Sequence, residues 1–208
     1  MIPTITRNGF LLAAFAIVCT ACVAIVNAFT TPIIAVQEQK ALIKIINQII
    51  PESSYNNDVF STCFNVSDDL LGAGEQQQVF IAKKNNVPVA AILETTTFRG
   101  YSGEIKLVLG VYTNGKVAGV RVIRHSETPG LGDKIQTNKS KWIYSFDDTI
   151  YTPSDDKQWE VSKNGGNFDA FTGASITPRA VVLAVKDALI YFDKNKVNLL
   201  NQPANCGA

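Results

Sequence analysis

The sequence predicts an α+β protein in which one N-terminal transmembrane helix precedes a single domain with an antiparallel sheet and packed helices. Three features predict this class: an uncharged apolar run near the N-terminus, alternating apolar segments joined by turn residues, and an amphipathic helix near the C-terminus. The 208 residues provide room for one ordinary domain and an accessory element. Because the formal net charge is only +1, the chain lacks the basic field that nucleic-acid binding requires.

The apolar run covers residues 9–29, reads GFLLAAFAIVCTACVAIVNAF and contains no charged side chain. At about 1.5 Å per residue, a helix of this length matches a hydrocarbon core of about 30 Å. We therefore expect a transmembrane helix over residues 9–29, with residues 1–8 in the cytoplasm and the bulk of the chain exported. The alternative is a secretory signal peptide cleaved after Ala28, which exports the rest of the chain as well.

The segment after the apolar run, residues 30–54, sets isoleucines and valines among polar residues as far as Pro51. This pattern predicts an amphipathic connector helix. An equally good interpretation is the first core helix of the exported domain. The turn-rich stretch after Pro51 places the domain start near Tyr55, which gives an exported domain over residues 55–208.

The first strand-like region contains two apolar segments, residues 79–82 and 87–93. They flank Lys83-Lys84-Asn85-Asn86, whose composition predicts a hairpin loop. Proline cannot donate to a sheet ladder, so Pro88 predicts that the second strand lies at an edge or starts late.

The second strand-like region alternates apolar and other residues over 105–111 and continues over 116–124 after Asn114-Gly115. Asn-Gly between two such segments is the strongest short-range signal for a hairpin. One more short strand is expected at residues 159–162, before the turn residues Asn164-Gly165-Gly166.

The last predicted element is a helix that begins at Pro178. Proline suits the first helical position because its missing N–H would have no partner there, and Thr177 is a good N-cap residue. Apolar residues then recur at helical spacing and form one stripe that we expect to pack on the sheet: Val181, Val185, Ala188, Leu189 and Phe192.

The four cysteines divide into two pairs. Cys63 and Cys206 lie outside the apolar run, where an exported pair can form a disulfide, and two unpaired thiols are the alternative. Cys19 and Cys22 share one helix face inside the run, which favours a helix-packing seam over a metal site. No metal site is predicted.

A group of hydroxyl and small residues, Thr172-Gly173-Ala174-Ser175-Ile176-Thr177, comes directly before the last helix. The free N–H groups and the dipole of a helix start favour a phosphate, and small residues let it approach the backbone. Simple helix capping is the alternative. The turn His125-Ser126-Glu127-Thr128-Pro129-Gly130-Leu131-Gly132 adds a small-residue surface on which a flat ring could lie, or else it is a polar turn with an exposed histidine.

Three segments carry a resemblance to a known family: Gly100-Tyr101-Ser102-Gly103-Glu104-Ile105, the turn at 125–132, and Asp169-Ala170-Phe171-Thr172-Gly173-Ala174-Ser175. In this order after one apolar helix, they resemble the G subunit of the Rnf ion-translocating electron-transport complex. The C subunit of the sodium-pumping NADH:quinone oxidoreductase is the nearest alternative. The resemblance covers essentially the whole chain, and the compact length favours the Rnf subunit.

The resemblance implies a domain on the periplasmic side of the inner membrane that carries FMN through a phosphoester. In this family a flavin transferase cleaves FAD and attaches FMN to the last hydroxyl of the motif Asp-x-x-[Ser/Thr]-Gly-Ala-[Thr/Ser], which is Ser175 here. The implied function is electron relay between redox partners, within a complex of membrane subunits rather than as a stand-alone catalyst. A docking module without flavin is the competing function.

The resemblance and the turn chemistry together define the expected cofactor contacts. Ser175 is the expected acceptor, and Asp169 is expected to serve recognition by the transferase or metal binding during modification. The other candidates are Thr172, Gly173, Ala174, Thr177, His125, Glu127, Thr128, Leu131 and Gly132. Family members usually have threonine at the acceptor position, so Ser175 departs from the pattern but keeps the hydroxyl. Thr172 and Thr177 are secondary acceptor candidates.

Overall fold

The chain forms two compact units, Met1–Lys44 and Ile45–Ala208. The computed structural model describes residues 2–72, 74 and 76–206. The first unit contains most of helix α1 (Ile2–Ile49), and the second contains the last residues of α1, a five-stranded sheet and the C-terminal helix. The predicted α+β class is therefore confirmed.

Helix α1 is continuous through Pro32, although the sequence pattern indicated two helical segments. The proline removes one N–H donor from the helix. Threonine hydroxyls supply extra hydrogen bonds in the preceding turn, where Thr31 Oγ1 donates to the Asn27 carbonyl at 2.7 Å. Over Ile5–Ile49 the helix is long and apolar enough to cross a membrane.

The sheet is an antiparallel meander in which every strand pairs with its neighbour along the chain. Its strands are β1 (Phe64–Val66), β2 (Gln77–Lys84), β3 (Val87–Gly100), β4 (Gly103–Tyr112) and β5 (Val117–His125). Strand β3 lies at the centre of the sheet, so of the two alternatives that Pro88 predicted, an edge strand or a late start, the edge position is wrong. Pairing of β3 to β4 begins only at Ala90, and the missing N–H of Pro88 therefore interrupts no ladder on that side.

Both predicted hairpins are confirmed, and their turns have the backbone conformation that their residues favour. Asn85 and Asn86 join β2 to β3 with φ of 52° and 65°, the left-handed pair that a tight two-residue hairpin requires. Gly115 joins β4 to β5 with a φ of 88°. Strand β1 was not predicted because three residues are too short to show alternation.

The C-terminal helix α2 (Ile176–Asn201) covers one face of the sheet. Its predicted apolar stripe is buried, which confirms that it packs on the sheet: Val181, Val185, Ala188, Leu189 and Phe192. The helix begins two residues earlier than predicted. Ser175 is the N-cap residue and Pro178 the third helical residue, a position in the first turn where its missing N–H is still tolerated.

The opposite face of the sheet is covered by the end of α1. Ile46, Ile49 and Ile50 are buried there. A side chain at Gly110 would overlap Ile49 Cγ2, so the facing pair Gly110 and Gly119 leaves room for the isoleucine. The last residues of α1 therefore belong to the core of the second unit.

Residues 126–175 contain short 3₁₀ turns, and the strand predicted at 159–162 does not form. Val161 makes a single bridge to Phe168. The residues of this segment that favour strands are instead buried in an aromatic cluster. Strand propensity partly reflects a preference for burial, so these residues can satisfy it without forming a strand. Phe146 stacks on Phe168 with ring centroids 4.5 Å apart, and Trp159 lies 5.3 Å from Phe168.

The predicted disulfide between Cys63 and Cys206 is confirmed, with their Cα atoms 5.3 Å apart. The backbone N–H groups of Asn205 and Cys206 both donate to the Cys63 carbonyl. The C-terminal tail is thereby attached beside the edge strand β1. Within the described residues no group of three potential metal ligands occurs, and Cys19 and Cys22 are exposed on α1.

Candidate functional site

Ser175 lies at the junction between an irregular loop and the start of α2. Its side chain is half-buried, and it makes no capping hydrogen bond although it occupies the N-cap position. In the described part of the chain its hydroxyl has no hydrogen-bond partner. The oxygen is therefore free to react or to bind a ligand.

The turn before Ser175 is held in place by aromatic contacts. The N–H of Ala174 donates to the Phe171 carbonyl at 3.1 Å, and Gly173 has a φ of +81°, which a side chain would strain. Phe171 contacts the Trp142 ring at 5.1 Å between centroids. Trp142 Nε1 also donates to the carbonyl of Asp169 at 2.8 Å, so one tryptophan contacts both Asp169 and Phe171 in the first part of the motif.

Two open cavities meet at Ser175. The first has a volume of about 450 Å³ and is lined by Lys163, Ala170, Phe171, Thr172, Gly173 and Ser175. The second has a volume of about 390 Å³ and extends along α2, where its lining includes Lys163, Ser175, Ile176, Arg179 and Leu183. Both volumes are in the range of small-molecule sites. Lys163 and Ser175 line both cavities.

Three cations surround these cavities, and two of them have carboxylate partners. Arg99 pairs with Asp187 at 3.0 Å, and Arg179 Nε donates to both oxygens of Glu160. Burial disfavours the charged form of Glu160, but the Val161 N–H and Arg179 outweigh it and hold the pKa of that carboxyl below its ordinary value. Lys163 has no ion-pair partner among the described residues. Its ammonium group is the cation available to an anion beside Ser175.

The loop at 125–132 lies against the same site. The Thr128 carbonyl accepts hydrogen bonds from the N–H groups of Leu131 and Gly132, which closes the loop. Leu131 is 42% exposed, and its Cδ2 lies 3.5 Å from the position that a Cβ on Gly173 would occupy. The structure therefore brings Leu131 and the Thr172–Gly173 turn together.

His125 and Glu127 point away from solvent. His125 Nδ1 accepts from the Glu127 N–H at 3.0 Å, and its Nε2 is buried without a partner among the described residues. Glu127 is 4% exposed, and its carboxyl group accepts from the Ser102 N–H at 3.0 Å and from Thr177 Oγ1 at 2.5 Å. Thr177 is 1% exposed. Its hydroxyl is therefore inaccessible as a secondary acceptor, whereas that of Thr172 is exposed.

The sequence did not identify several residues that line the site, namely Lys163, Arg179, Arg99, Phe171 and Trp142. Lys163 and Arg179 lie near Ser175 because of the fold, and their spacing in the sequence does not indicate it. Phe171 lies within the motif, and its role as an anchor depends on a tryptophan 29 residues earlier in the chain. The only available signal was the concentration of aromatic residues over 142–171.

Comparison with known proteins places the chain in a family. Residues 100–190 match the FMN-binding domain and residues 1–49 match the RnfG N-terminal region. The G subunit of the ion-translocating oxidoreductase complex from Shewanella amazonensis is 45% identical over 207 residues, which is 99% of this chain and 96% of that protein. The corresponding G subunit from Vibrio cholerae is 46% identical and covers 99% of both chains. The chain belongs to the family of G subunits of ion-translocating oxidoreductase complexes.

This membership supports the Rnf interpretation over the alternative C-type subunit. A solved structure of the C subunit of a Na⁺-translocating NADH-quinone reductase, from Parabacteroides distasonis, is 19% identical and covers 67% of this chain and 77% of its own, with a TM-score of 0.41. The full-length G-subunit relatives are far more similar. The matched FMN-binding domain contains the loop at residues 125–132, Lys163 and the motif at residues 169–175.

Proposed function

We propose that this G-subunit family member relays electrons within a membrane-bound ion-translocating oxidoreductase complex, through one FMN attached by a phosphoester to Ser175. The observation that carries the proposal is the free Ser175 hydroxyl at the junction of two cavities. Bound FMN supplies the redox chemistry by accepting and releasing electrons. The chain supplies the attachment point for the flavin, holds it in position and provides its electrostatic surroundings.

The surroundings of Ser175 fit the phosphate of FMN. Lys163 offers a cation that has no ion-pair partner in the described part of the chain, and the first turn of the 26-residue helix α2 leaves N–H groups without intrahelical partners. Gly173 and Ala174 have little or no side chain to obstruct the approach to the backbone. The Lys163 cation and the backbone donors of α2 therefore support a phosphoester on Ser175.

The surroundings also fit a flat aromatic ring. Exposed apolar groups on both sides of Ser175 could contact such a ring, namely Leu131 of the loop and Ile176 of the helix. Phe171 lines the first cavity with its ring fixed by Trp142. Thr128 and Gly132 hold Leu131 in place through the backbone of the loop. These residues would orient the cofactor and reduce its contact with water.

Attachment of the flavin requires a flavin transferase as a transient partner. In that reaction the Ser175 oxygen would lose its proton and bond to the phosphorus of the FMN half of FAD, and the phosphoanhydride bond would break with AMP as the leaving group. Asp169 is exposed, and its backbone is fixed by Trp142. Its carboxyl group is thus available for recognition by the transferase.

The membrane arrangement follows from helix α1, the one described helix that could span a bilayer. We propose that residues 9–29 span the inner membrane, with residues 1–8 in the cytoplasm and residues 30–54 as the connector. The FMN-binding domain then lies on the periplasmic side. Other membrane subunits of the complex are the lasting partners.

In-gel flavin fluorescence tests this function, because only covalently bound flavin migrates with a denatured chain. The full-length protein, co-expressed with the transferase, should fluoresce, and so should Ser175→Thr, which keeps the hydroxyl. Ser175→Ala should lose the signal while remaining folded, since one lost hydroxyl at a helix start costs about 0.5–2 kcal/mol. Thr172→Ser keeps the motif, so it is the matched control and should stay fluorescent. A fluorescent Ser175→Ala, or an unlabelled parent chain, would refute the proposal.

A further inference from the structure

Glu127 connects its own loop to three other parts of the site through hydrogen bonds inside the protein. Its two carboxyl oxygens accept from the Ser102 N–H in the β3–β4 turn and from the Thr177 hydroxyl in the first turn of α2. Its own N–H donates to His125 at the end of β5. Among the described residues no cation forms an ion pair with it, so these neutral groups satisfy a carboxyl group that is 4% exposed. Burying such a group is expensive unless each of its hydrogen bonds is made.

Two glycines provide the space for this carboxyl group. A Cβ on Gly100 would lie 2.7 Å from Glu127 Oε1. A Cβ on Gly132 would lie 2.9 Å from Glu127 Oε2 and equally close to Thr177 Oγ1. Neither glycine has a positive φ, so the backbone conformation does not require glycine at either position. A side chain is excluded because neighbouring atoms approach the backbone closely. Segments that are far apart in the sequence therefore converge on one side chain.

The contact to Thr177 connects this cluster to the acceptor. Thr177 follows Ser175 by two residues in the first turn of α2, and its side chain points inward while that of Ser175 stays accessible. On the other side, Leu131 of the Glu127 loop lies beside Gly173. A single hydrogen bond thus fixes the start of α2 relative to the loop that borders the acceptor.

We propose that Glu127 is a positioning residue for flavin attachment, which orients the Ser175 hydroxyl through its hydrogen bond with Thr177 and does not itself touch the flavin. This inference rests on the proposed function. It differs from the expectation that Glu127 contacts the cofactor, because both carboxyl oxygens are already bonded within the protein. Loss of the hydrogen bond should slow attachment to a folded chain, since a misplaced reacting group lowers the rate by roughly 10- to 100-fold.

The test measures the initial rate of flavin attachment to purified full-length apo-protein in detergent, with transferase and FAD added. Thr177→Val keeps the shape of the side chain but removes the donor, and the rate should fall by roughly 10- to 100-fold. Thr177→Ser restores the hydroxyl and should stay near the parental rate. Glu127→Met combined with Thr177→Val should be no slower than the slower of the two single variants, because each change removes the hydrogen bond between residues 127 and 177.

The matched control is Thr95→Val. Thr95 is a buried residue of β3 whose hydroxyl donates to the Leu71 carbonyl, and it lines neither cavity. All assays are run below the melting temperature of every variant. A lower rate then reflects slower flavin attachment and not a loss of folded protein. Thr95→Val should be labelled at the parental rate. Equal rates for Thr177→Val and Thr95→Val would overturn the inference while leaving the proposed function intact. An unlabelled parent chain would instead overturn the proposed function.

Discussion

The two faces of the sheet are stabilised by different kinds of contact. On the face toward α2, the strands present aliphatic side chains that pack on the apolar stripe and on the aromatic cluster. On the opposite face, the end of α1 fits against Gly110 and Gly119, and Arg121 donates to the carbonyls of Val120 and Gln48. The Arg121 guanidinium also lies 4.6 Å from the centre of the Tyr144 ring. The second face also buries apolar side chains, among them Phe80 and Ile92, but it adds close approach at two glycines and a buried arginine.

Because their contacts differ, the two faces should respond differently to substitution. An apolar core loses stability in proportion to the volume removed from it. A face built on close approach and buried polar groups is sensitive to an added methyl group or to a change of charge. The candidate flavin site lies beside the first face, so damage to the aromatic cluster should also reach the site.

The largest expected effect is on the α2 face. Phe146 is fully buried and contacts the rings of Trp142 and Phe168, so Phe146→Ala should lower the free energy of unfolding by about 3–5 kcal/mol. Urea unfolding of the full chain in detergent measures this loss. Tyr101→Ala, at a side chain that is 70% exposed, is the control and should change stability little. Similar losses in both variants would contradict the assignment of the aromatic cluster as core.

An intermediate effect is expected where α1 meets the sheet. Gly110→Ala places a methyl group against Ile49 Cγ2 and should destabilise the domain by about 1–3 kcal/mol. Gly119→Ala is the matched control, because its nearest neighbour would be 3.3 Å away. Adding Ile49→Ala to Gly110→Ala should cost less than the sum of the two single changes. Strict additivity in this double-mutant cycle would show that residues 49 and 110 do not contact each other.

The smallest effect concerns Asp147 beside Arg121. Burial raises the pKa of the Asp147 carboxyl above its ordinary value, Arg121 opposes this shift, and Asp148 adds to it. A raised folded pKa favours the protonated form, so this contribution to stability is present below the ordinary pKa of 3.8 and is lost as the pH rises through the folded pKa.

Asp147→Asn should therefore raise the melting temperature at pH 7, by the equivalent of less than about 1 kcal/mol after solvent screening. The gain should disappear below the ordinary pKa of the carboxyl, where the parent side chain is also neutral. Asp69→Asn, at an exposed position elsewhere in the domain, serves as the control. A lower melting temperature for Asp147→Asn at pH 7 would mean that the attraction to Arg121 outweighs burial.

The parts of the fold that could be predicted from the sequence depend on local signals. Asn114-Gly115 and the stripe of α2 specify their elements through neighbouring residues alone. The position of β3 in the sheet and the failure of residues 159–162 to form a strand depend on pairing partners far away in the chain. The start of α2 was misjudged because Pro178 suits several positions of a first helical turn, and tertiary contacts of Thr177 decide among them.

The candidate site could be predicted in part for the same reason. Ser175 and its small neighbours form a contiguous motif, and the resemblance indicates the acceptor. Lys163 and Trp142 reach the site only through the fold, and neither has a sequence pattern that marks it. Glu127 was identified as a site residue, but its burial follows from contacts with Ser102 and Thr177, which the sequence does not show.

Flavin attachment at Ser175 can be tested by the mass of one peptide. Trypsin cleavage after Lys163 and Arg179 releases residues 164–179, which contain the three hydroxyls Thr172, Ser175 and Thr177. In protein made with the flavin transferase, this peptide should gain the mass of FMN minus one water, and fragmentation should place the addition on Ser175. An unmodified peptide, or an addition placed on Thr172 or Thr177, would contradict the assignment of Ser175 as the flavin acceptor.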